Sequence, residues 1–233
     1  MKVVILAGGL GTRLSEYTES IPKPMVTIGN LPIIVHIMKY YSMYGFNEFY
    51  LALGYKSEEF HKFFNEYDSP KEWNINLIDT GLETMTGGRL KRLQKQLSNQ
   101  TFMLTYGDGL SNINIKKLLE FHHTNKKMLT ISAVRPPARF GALELEGTKV
   151  KKFTEKSQTD EGWINGGFFV CEKNIFEYLK NDQTILEKEP FEVIANKDEM
   201  RAYKHYDFWQ CMDTKRDKDN LESMYKMKKA PWI

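Results

Sequence analysis

The 233-residue chain contains only two cysteines, Cys171 and Cys211. They are too far apart for a metal knuckle and too few to staple a fold, so a reducing compartment, the cytoplasm, is expected. Long apolar runs are lacking as well. The opening MKVVILAGG has one lysine and an apolar stretch shorter than a signal-peptide core and far below the ~20 residues of a spanning helix. Neither secretion nor membrane insertion is expected. Charge of one sign is also scarce: 33 basic against 30 acidic residues leave +3. That excess is too small to carry a counterion-driven nucleic-acid binder. No repeat, low-complexity tract or linker rich in Gly, Pro or Ser divides the chain, which reads as one domain over 1–233.

What is present is an alternation of periods. Val3 to Ala7, Phe49 to Leu53, Ile75 to Ile78, Thr101 to Tyr106 and Leu129 to Val134 are short apolar runs bounded by Gly, Asp, Asn or Pro, as buried strands are. Helical stretches separate them. Pro32 to Tyr44 puts Ile33, Ile34, Ile37, Met38 and Tyr41 on one stripe and stops at Gly45. Ser57 is expected to cap a second helix and Asn114 a third. From about Pro136, ALELEG and TKVKKFTEK alternate apolar with polar around Glu146-Gly147-Thr148, as an antiparallel hairpin does. A strand through Phe168 to Val170, a helix near Ile175 to Leu179, a strand at Arg201 to His205 and a terminal helix Lys215 to Met227 follow. The expected fold is α/β, Rossmann-like, with a mixed, mainly parallel central sheet flanked by helices and a small antiparallel elaboration.

The first strand runs into LAGGLGTRL, placing Leu6, Ala7, Gly8, Gly9 and Gly11 where a parallel sheet presents its carboxyl ends to ligands. Glycines let backbone N–H groups approach an anion, and Thr12 and Arg13 add a hydroxyl and a permanent cation. A tight strand-to-helix turn needs the same glycines. The dinucleotide fingerprint fails, because Gly9-Leu10-Gly11 is followed by Thr12, Arg13 and Leu14, and no Gly-Lys-Ser/Thr closes a Walker loop. Further on, IPKPM sets Lys23 between two prolines that fix the backbone beneath it. No Ser-His-Asp or Cys-His arrangement is recognisable. The five histidines, His36, His61, His122, His123 and His205, have no metal spacing and read as structural or surface residues.

LAGGLGTRL followed by PKPM resembles the signature of the sugar-1-phosphate nucleotidyltransferases. The segments DTGLETMTGGRLKR, TYGDG, RFGALEL, INGGFFV, FWQCMDT and KAPW resemble the glucose-1-phosphate cytidylyltransferases among them, over nearly the whole chain. The resemblance implies cytidylyl transfer from CTP to α-D-glucose 1-phosphate, giving CDP-glucose and pyrophosphate for polysaccharide precursor synthesis. It implies a homo-oligomer with no nucleic-acid or membrane partner. Residues 1–130 would be mainly the nucleotide-binding half and 131–233 mainly the acceptor-binding half. Another sugar 1-phosphate, another small phosphorylated acceptor or another nucleoside triphosphate would fit the same chemistry.

Residue by residue, the resemblance assigns Mg²⁺ to Asp108 and Asp213, a pair of carboxylates that suits a hard cation keeping several waters. Arg13 would face the leaving pyrophosphate and Lys23 the reacting phosphate. Thr86, Gly87, Arg89 and Gly107 join the nucleotide side. Gly141, Glu155, Lys156, Asn165, Gly166 and Trp209 join the acceptor side. Each has a plainer reading: Asp108 as a turn residue, Asp213 as a helix cap, Asn165-Gly166-Gly167 as a bulge, Glu155 and Lys156 as an exposed pair, and Lys91, Arg92 and Lys95 as a solvated basic face. Two departures stand out. Ser157 replaces a usual proline, and only Asp68 to Glu72 lie between helix and strand where similar enzymes carry a longer segment. Met224, Tyr225, Met227, Pro231 and Trp232 make an apolar C-terminus, expected to meet a neighbouring subunit with Trp232 as anchor, or, on the plainer reading, to fold back onto its own subunit.

Overall fold

The structure, a computed structural model, describes residues 1–97, 99–137, 142–154 and 162–233. The strands are β1 (Lys2–Leu6), β2 (Thr27–Ile28), β3 (Leu31–Pro32), β4 (Glu48–Leu53), β5 (Asn74–Asp79), β6 (Phe102–Tyr106), β7 (Gly109–Ser111), β8 (Leu129–Val134), β9 (Ala142–Glu146), β10 (Lys149–Thr154), β11 (Ile164–Cys171), β12 (Met200–Lys204) and β13 (Trp209–Cys211). The helices are α1 (Ser15–Thr18), α2 (Ile33–Met43), α3 (Ser57–Glu66), α4 (Thr86–Arg92), α5 (Gln94–Leu97), α6 (Ile115–Asn125), α7 (Glu189–Asn196) and α8 (Lys215–Lys226). Short 3₁₀ turns include Thr12–Leu14, Lys23–Met25 and Lys173–Tyr178.

Seven strands form one sheet in the order β12-β8-β11-β6-β1-β4-β5. Neighbours pair in parallel except β11, which runs against both β6 and β8. The mixed, mainly parallel α/β sheet matches the expectation, and the β9–β10 hairpin is the antiparallel elaboration. Successive side chains of β1 enter opposite layers: Val3 and Ile5 join the core under α2 and α6, whereas Val4 and Leu6 join the one under α4 and α7. Both faces are covered, which is why these strands read as unbroken apolar runs.

Local corrections have physical causes. Asn114 caps α6, accepting from Lys117 N. Ser57 does not cap α3; the cap is Lys56 in the left-handed region, with φ 51° and no side-chain bond. The helix expected near Ile175 to Leu179 is a 3₁₀ turn, Lys173–Tyr178. The apolar C-terminus folds back on its own chain. Trp232 is 1% exposed, stacks on Phe208 and donates from Nε1 to His36 Nδ1 at 3.4 Å. The expected intersubunit anchor is thus an intrachain one. Among the described residues no helix is long and apolar enough to cross a membrane.

His36 also meets Ile28 O through Nε2 at 2.9 Å. Both contacts suit only the neutral ring with its proton on Nε2, since a charged ring would oppose the Trp232 N–H with a second donor. Burial holds both His36 and His122 below the ordinary histidine value of 6.5. The unfolded chain therefore takes up protons near pH 6.5 that the folded chain resists. Stability is full above that pH and falls as the pH drops below it. Urea midpoints at pH 7.5 and 5.5 should differ in that direction, with a smaller difference in His36→Gln. A midpoint independent of pH would contradict the burial of neutral His36 and His122.

Candidate active site

The cleft lies beyond the carboxyl ends of β1 and β6, with a volume of about 440 Å³. Leu6, Ala7, Gly8, Gly9, Gly11, Thr12, Arg13, Lys23, Thr86, Arg89, Gly107 and Asp108 all line it. Gly11 has φ 66°, and a Cβ there would come within 3.0 Å of the Lys23 stem and 2.9 Å of Thr18. Only glycine turns the chain this tightly over the lysine.

Lys23 sits in a 3₁₀ turn opened by Pro22 and is 7% exposed. Its Nζ reaches Asp108 Oδ2 at 2.6 Å and Asp213 Oδ1 at 2.5 Å, while Arg13 bonds Asp213 Oδ2 at 2.6 Å. Burial works to lower the lysine's pKa, but the two carboxylates outweigh it and hold the ammonium above its ordinary value. Burial likewise works to raise Asp213, yet Lys23 and Arg13 keep it below the usual carboxylate range. Asp213 is not the cap of α8. Thr214 fills that role in a capping box with Asp217, leaving the Asp213 carboxylate for the cleft.

What brings two aspartates so far apart in sequence to one nitrogen is a short ribbon. β13 pairs antiparallel with β7, Trp209 opposite Ser111 through Cys211 opposite Gly109, and Met212 N closes it on Asp108 O at 2.8 Å. Asp108 and Asp213 flank its open end. No group of three or more His, Cys, Asp or Glu that could hold a metal occurs among the described residues. Two hard carboxylates already gathered around one cationic centre fit a divalent ion that takes its remaining ligands from water and phosphate.

Arg89 is buried beside the glycine loop. It is 4% exposed, and its guanidinium donates to Gly8 O, Leu53 O, Thr80 Oγ1, Gly81 O and Leu82 O. A Cβ on Gly8 would fall 2.3 Å from it, so that glycine makes room for the arginine. Arg89 ties the glycine loop to the segment after β5 while lining the cleft. Gly87, beside the cleft-lining Thr86, donates its N–H to Thr184 O. The residues sequence reasoning missed are Pro24, Thr84, Met85 and Tyr106, which complete the lining. Tyr106, ending β6 just before Gly107-Asp108, could have been found from its strand-end position alone.

Of the residues expected to meet the acceptor, Trp209 is buried and donates from Nε1 to Gly166 O at 2.7 Å. Asn165-Gly166-Gly167 does form an irregularity in the β11–β8 pairing, and Asn165 reaches Tyr106. Gly141, Glu155 and Lys156 lie outside the described residues.

The family model for nucleotidyl transferases matches residues 2–227. The chain belongs to the nucleotidyl transferase family. This nucleotidyltransferase is 43% identical over 253 aligned positions to a glucose-1-phosphate cytidylyltransferase of Salmonella typhi, covering 100% of this chain and 98% of that one. It is 40% identical over 252 positions to a probable glucose-1-phosphate cytidylyltransferase of Bacillus subtilis, covering 100% and 99%. Among solved structures it is similar to HddC from Yersinia pseudotuberculosis complexed with GMP-PN, with a TM-score of 0.74, 27% identity and coverage of 96% and 99%. The alignment of 253 positions against 233 residues requires gaps in this chain.

Proposed function

We propose that this nucleotidyltransferase joins CTP and α-D-glucose 1-phosphate to give CDP-glucose and pyrophosphate. The observation that carries the chemistry is the convergence of Arg13, Lys23, Asp108 and Asp213 at the rim of the glycine-lined cleft. The choice of cytosine and glucose is supported by full-length likeness to the Salmonella and Bacillus enzymes.

An acceptor phosphate oxygen, already anionic, attacks the nucleotide's α-phosphorus; the new P–O bond forms as the α–β bridging bond breaks and pyrophosphate leaves. No general base is needed, so alignment and charge neutralisation dominate. The glycine loop offers backbone N–H groups to the phosphates, Lys23 faces the reacting phosphate and Arg13 the departing pyrophosphate. Asp108 and Asp213 would hold Mg²⁺, whose charge, when bound, offsets that of the phosphates. Asn165 and Gly166 belong to the acceptor side, and the buried Trp209 backs them.

A matrix of four nucleoside triphosphates against a panel of phosphorylated acceptors, read by pyrophosphate release, tests the assignment. CTP with glucose 1-phosphate should give the highest kcat/KM, and a different best pair would replace the substrates while keeping the reaction. Lys23→Ala should lower kcat more than it raises KM for CTP, because a cation at the reacting phosphorus acts mostly as charge redistributes. A raised KM with unchanged kcat would make Lys23 a ground-state anchor only. A homo-oligomer belongs to the same reading. Its support is the exposed apolar side chains Met43, Met227 and Ile233, now that Trp232 is accounted for internally. Light scattering that finds a monomer at micromolar concentration would remove it.

A further inference from the structure

The wall between the two sides of the cleft contains a continuous chain of polar contacts centred on a residue that does not itself line the cleft. Glu187, in the turn before α7, accepts from Tyr106 Oη at 2.6 Å through one carboxylate oxygen. Its other oxygen accepts from Thr86 Oγ1 at 2.7 Å. Tyr106 in turn accepts from Asn165 Nδ2 at 3.1 Å, and Asn165 Oδ1 accepts from Gly167 N at 2.8 Å. On the other flank, Thr86 Oγ1 accepts from Leu186 N at 2.9 Å.

The direction of every bond is determined. Gly167 has only an N–H to give, so Asn165 must turn its oxygen to it and its NH₂ to Tyr106. Tyr106, having accepted, gives its single proton to Glu187, and Thr86, having accepted from Leu186, does the same. The ionised carboxylate is the sole acceptor-only member, and it receives one proton donor on each oxygen. The network leaves Asn165 with a second N–H, and it fixes Thr86 at the first turn of α4 on the opposite side of the cleft. Gly167, with φ 77°, lets this happen: a Cβ there would lie 2.5 Å from the Tyr106 ring.

We propose that Tyr106 and Glu187 are positioning residues which hold Asn165 on the acceptor side and Thr86 on the nucleotide side through one shared carboxylate. This rests on the reading of the two cleft halves given above. Thr86 and Tyr106 share no direct bond, yet each depends on the same anion, so disturbing one should alter the effect of disturbing the other. Glu187 is exposed, so each step should be modest.

The test is a double-mutant cycle of Tyr106→Phe and Thr86→Val, made in the wild-type protein and again with Glu187→Gln. Steady-state pyrophosphate release from CTP and glucose 1-phosphate gives the kinetics, and urea unfolding without substrates gives the network itself. Tyr106→Phe should raise KM for glucose 1-phosphate about fivefold and Thr86→Val should raise KM for CTP by a similar factor, each from one lost hydrogen bond. The two should combine to less or more than their product, with the departure gone when Glu187 is glutamine. Simple multiplication in both assays, or KM values within twofold of wild type despite coupled unfolding, would overturn the proposal. If unfolding shows the coupling while the wild-type protein releases no pyrophosphate from these substrates, the substrate assignment fails and the network stands on its stability coupling alone.

Discussion

Replacing Asp213 by asparagine should lower kcat about a thousandfold or more while the protein remains folded. Its two oxygens meet separate cations, Oδ1 facing Lys23 and Oδ2 facing Arg13. Asparagine keeps the shape and loses the charge. A divalent ion then has one anionic ligand fewer, and the two cations lose the carboxylate that holds them near the phosphates. Helix α8 should survive, because Thr214 and Asp217 cap it without help from Asp213. Asp213 does contribute some native stability through its depressed pKa. That part is present above the unfolded carboxylate range and is lost as the pH falls through the folded value, so a small fall in midpoint at pH 7 is expected. Asp108→Asn should behave alike. The measurement is kcat against Mg²⁺ concentration beside a thermal melt; near-normal Mg²⁺-dependent turnover in either variant would remove the aspartates from the metal role.

Arg89→Ala is expected to lose about 3 kcal/mol of unfolding free energy or more. Deletion of one buried guanidinium takes a charged donor from oxygens of Gly8, Leu53, Thr80, Gly81 and Leu82 together, although Gly8 O keeps Tyr55 N and Leu53 O keeps Thr80 N. Several sit where little water reaches, and the void beside Gly8 and Gly54 adds a packing loss. Arg89→Lys should rescue only part of this, since a single ammonium with three protons cannot serve oxygens on both sides of a planar fork. Urea unfolding measures the loss. A variant as stable as wild type would show that these contacts are not maintained in solution, and Arg89 would return to the role of a triphosphate contact.

The parallel strands and their order of helices were legible because burial on both faces writes itself as apolar runs. The glycine loop and Asp108 were legible because strand ends are where ligands sit. The burial of Arg89 was not, because the space for it comes from the missing Cβ of Gly8 and Gly54, far away in sequence. Whether Asp213 caps α8 was undecidable from FWQCMDT, since Thr214 and Asp213 are both good caps; the Thr214–Asp217 capping box makes Thr214 the cap, and the pairing of β13 with β7, which brings Asp213 to Lys23, rests on three-residue strands that leave no periodicity to read. Trp232 was misplaced because an apolar chain end offers no sign of the pocket formed by His36 and Phe208. Glu187 stayed hidden as one charge in a polar turn.

Strand β11 leaves its own half of the chain and lies between β6 and β8, with Phe168 opposite Thr105 on one side and Val170 opposite Thr130 on the other. A fragment cut near residue 135 would keep β6 with a bare row of backbone donors and acceptors and an uncovered apolar face, an invitation to aggregate. Chimeras built to exchange acceptor preference between relatives face the same problem. A graft that follows the sequence boundary breaks the β11–β6, β11–β8 and β12–β8 seams at once, so the exchanged unit has to include the β6 and β8 surfaces that receive β11 and β12.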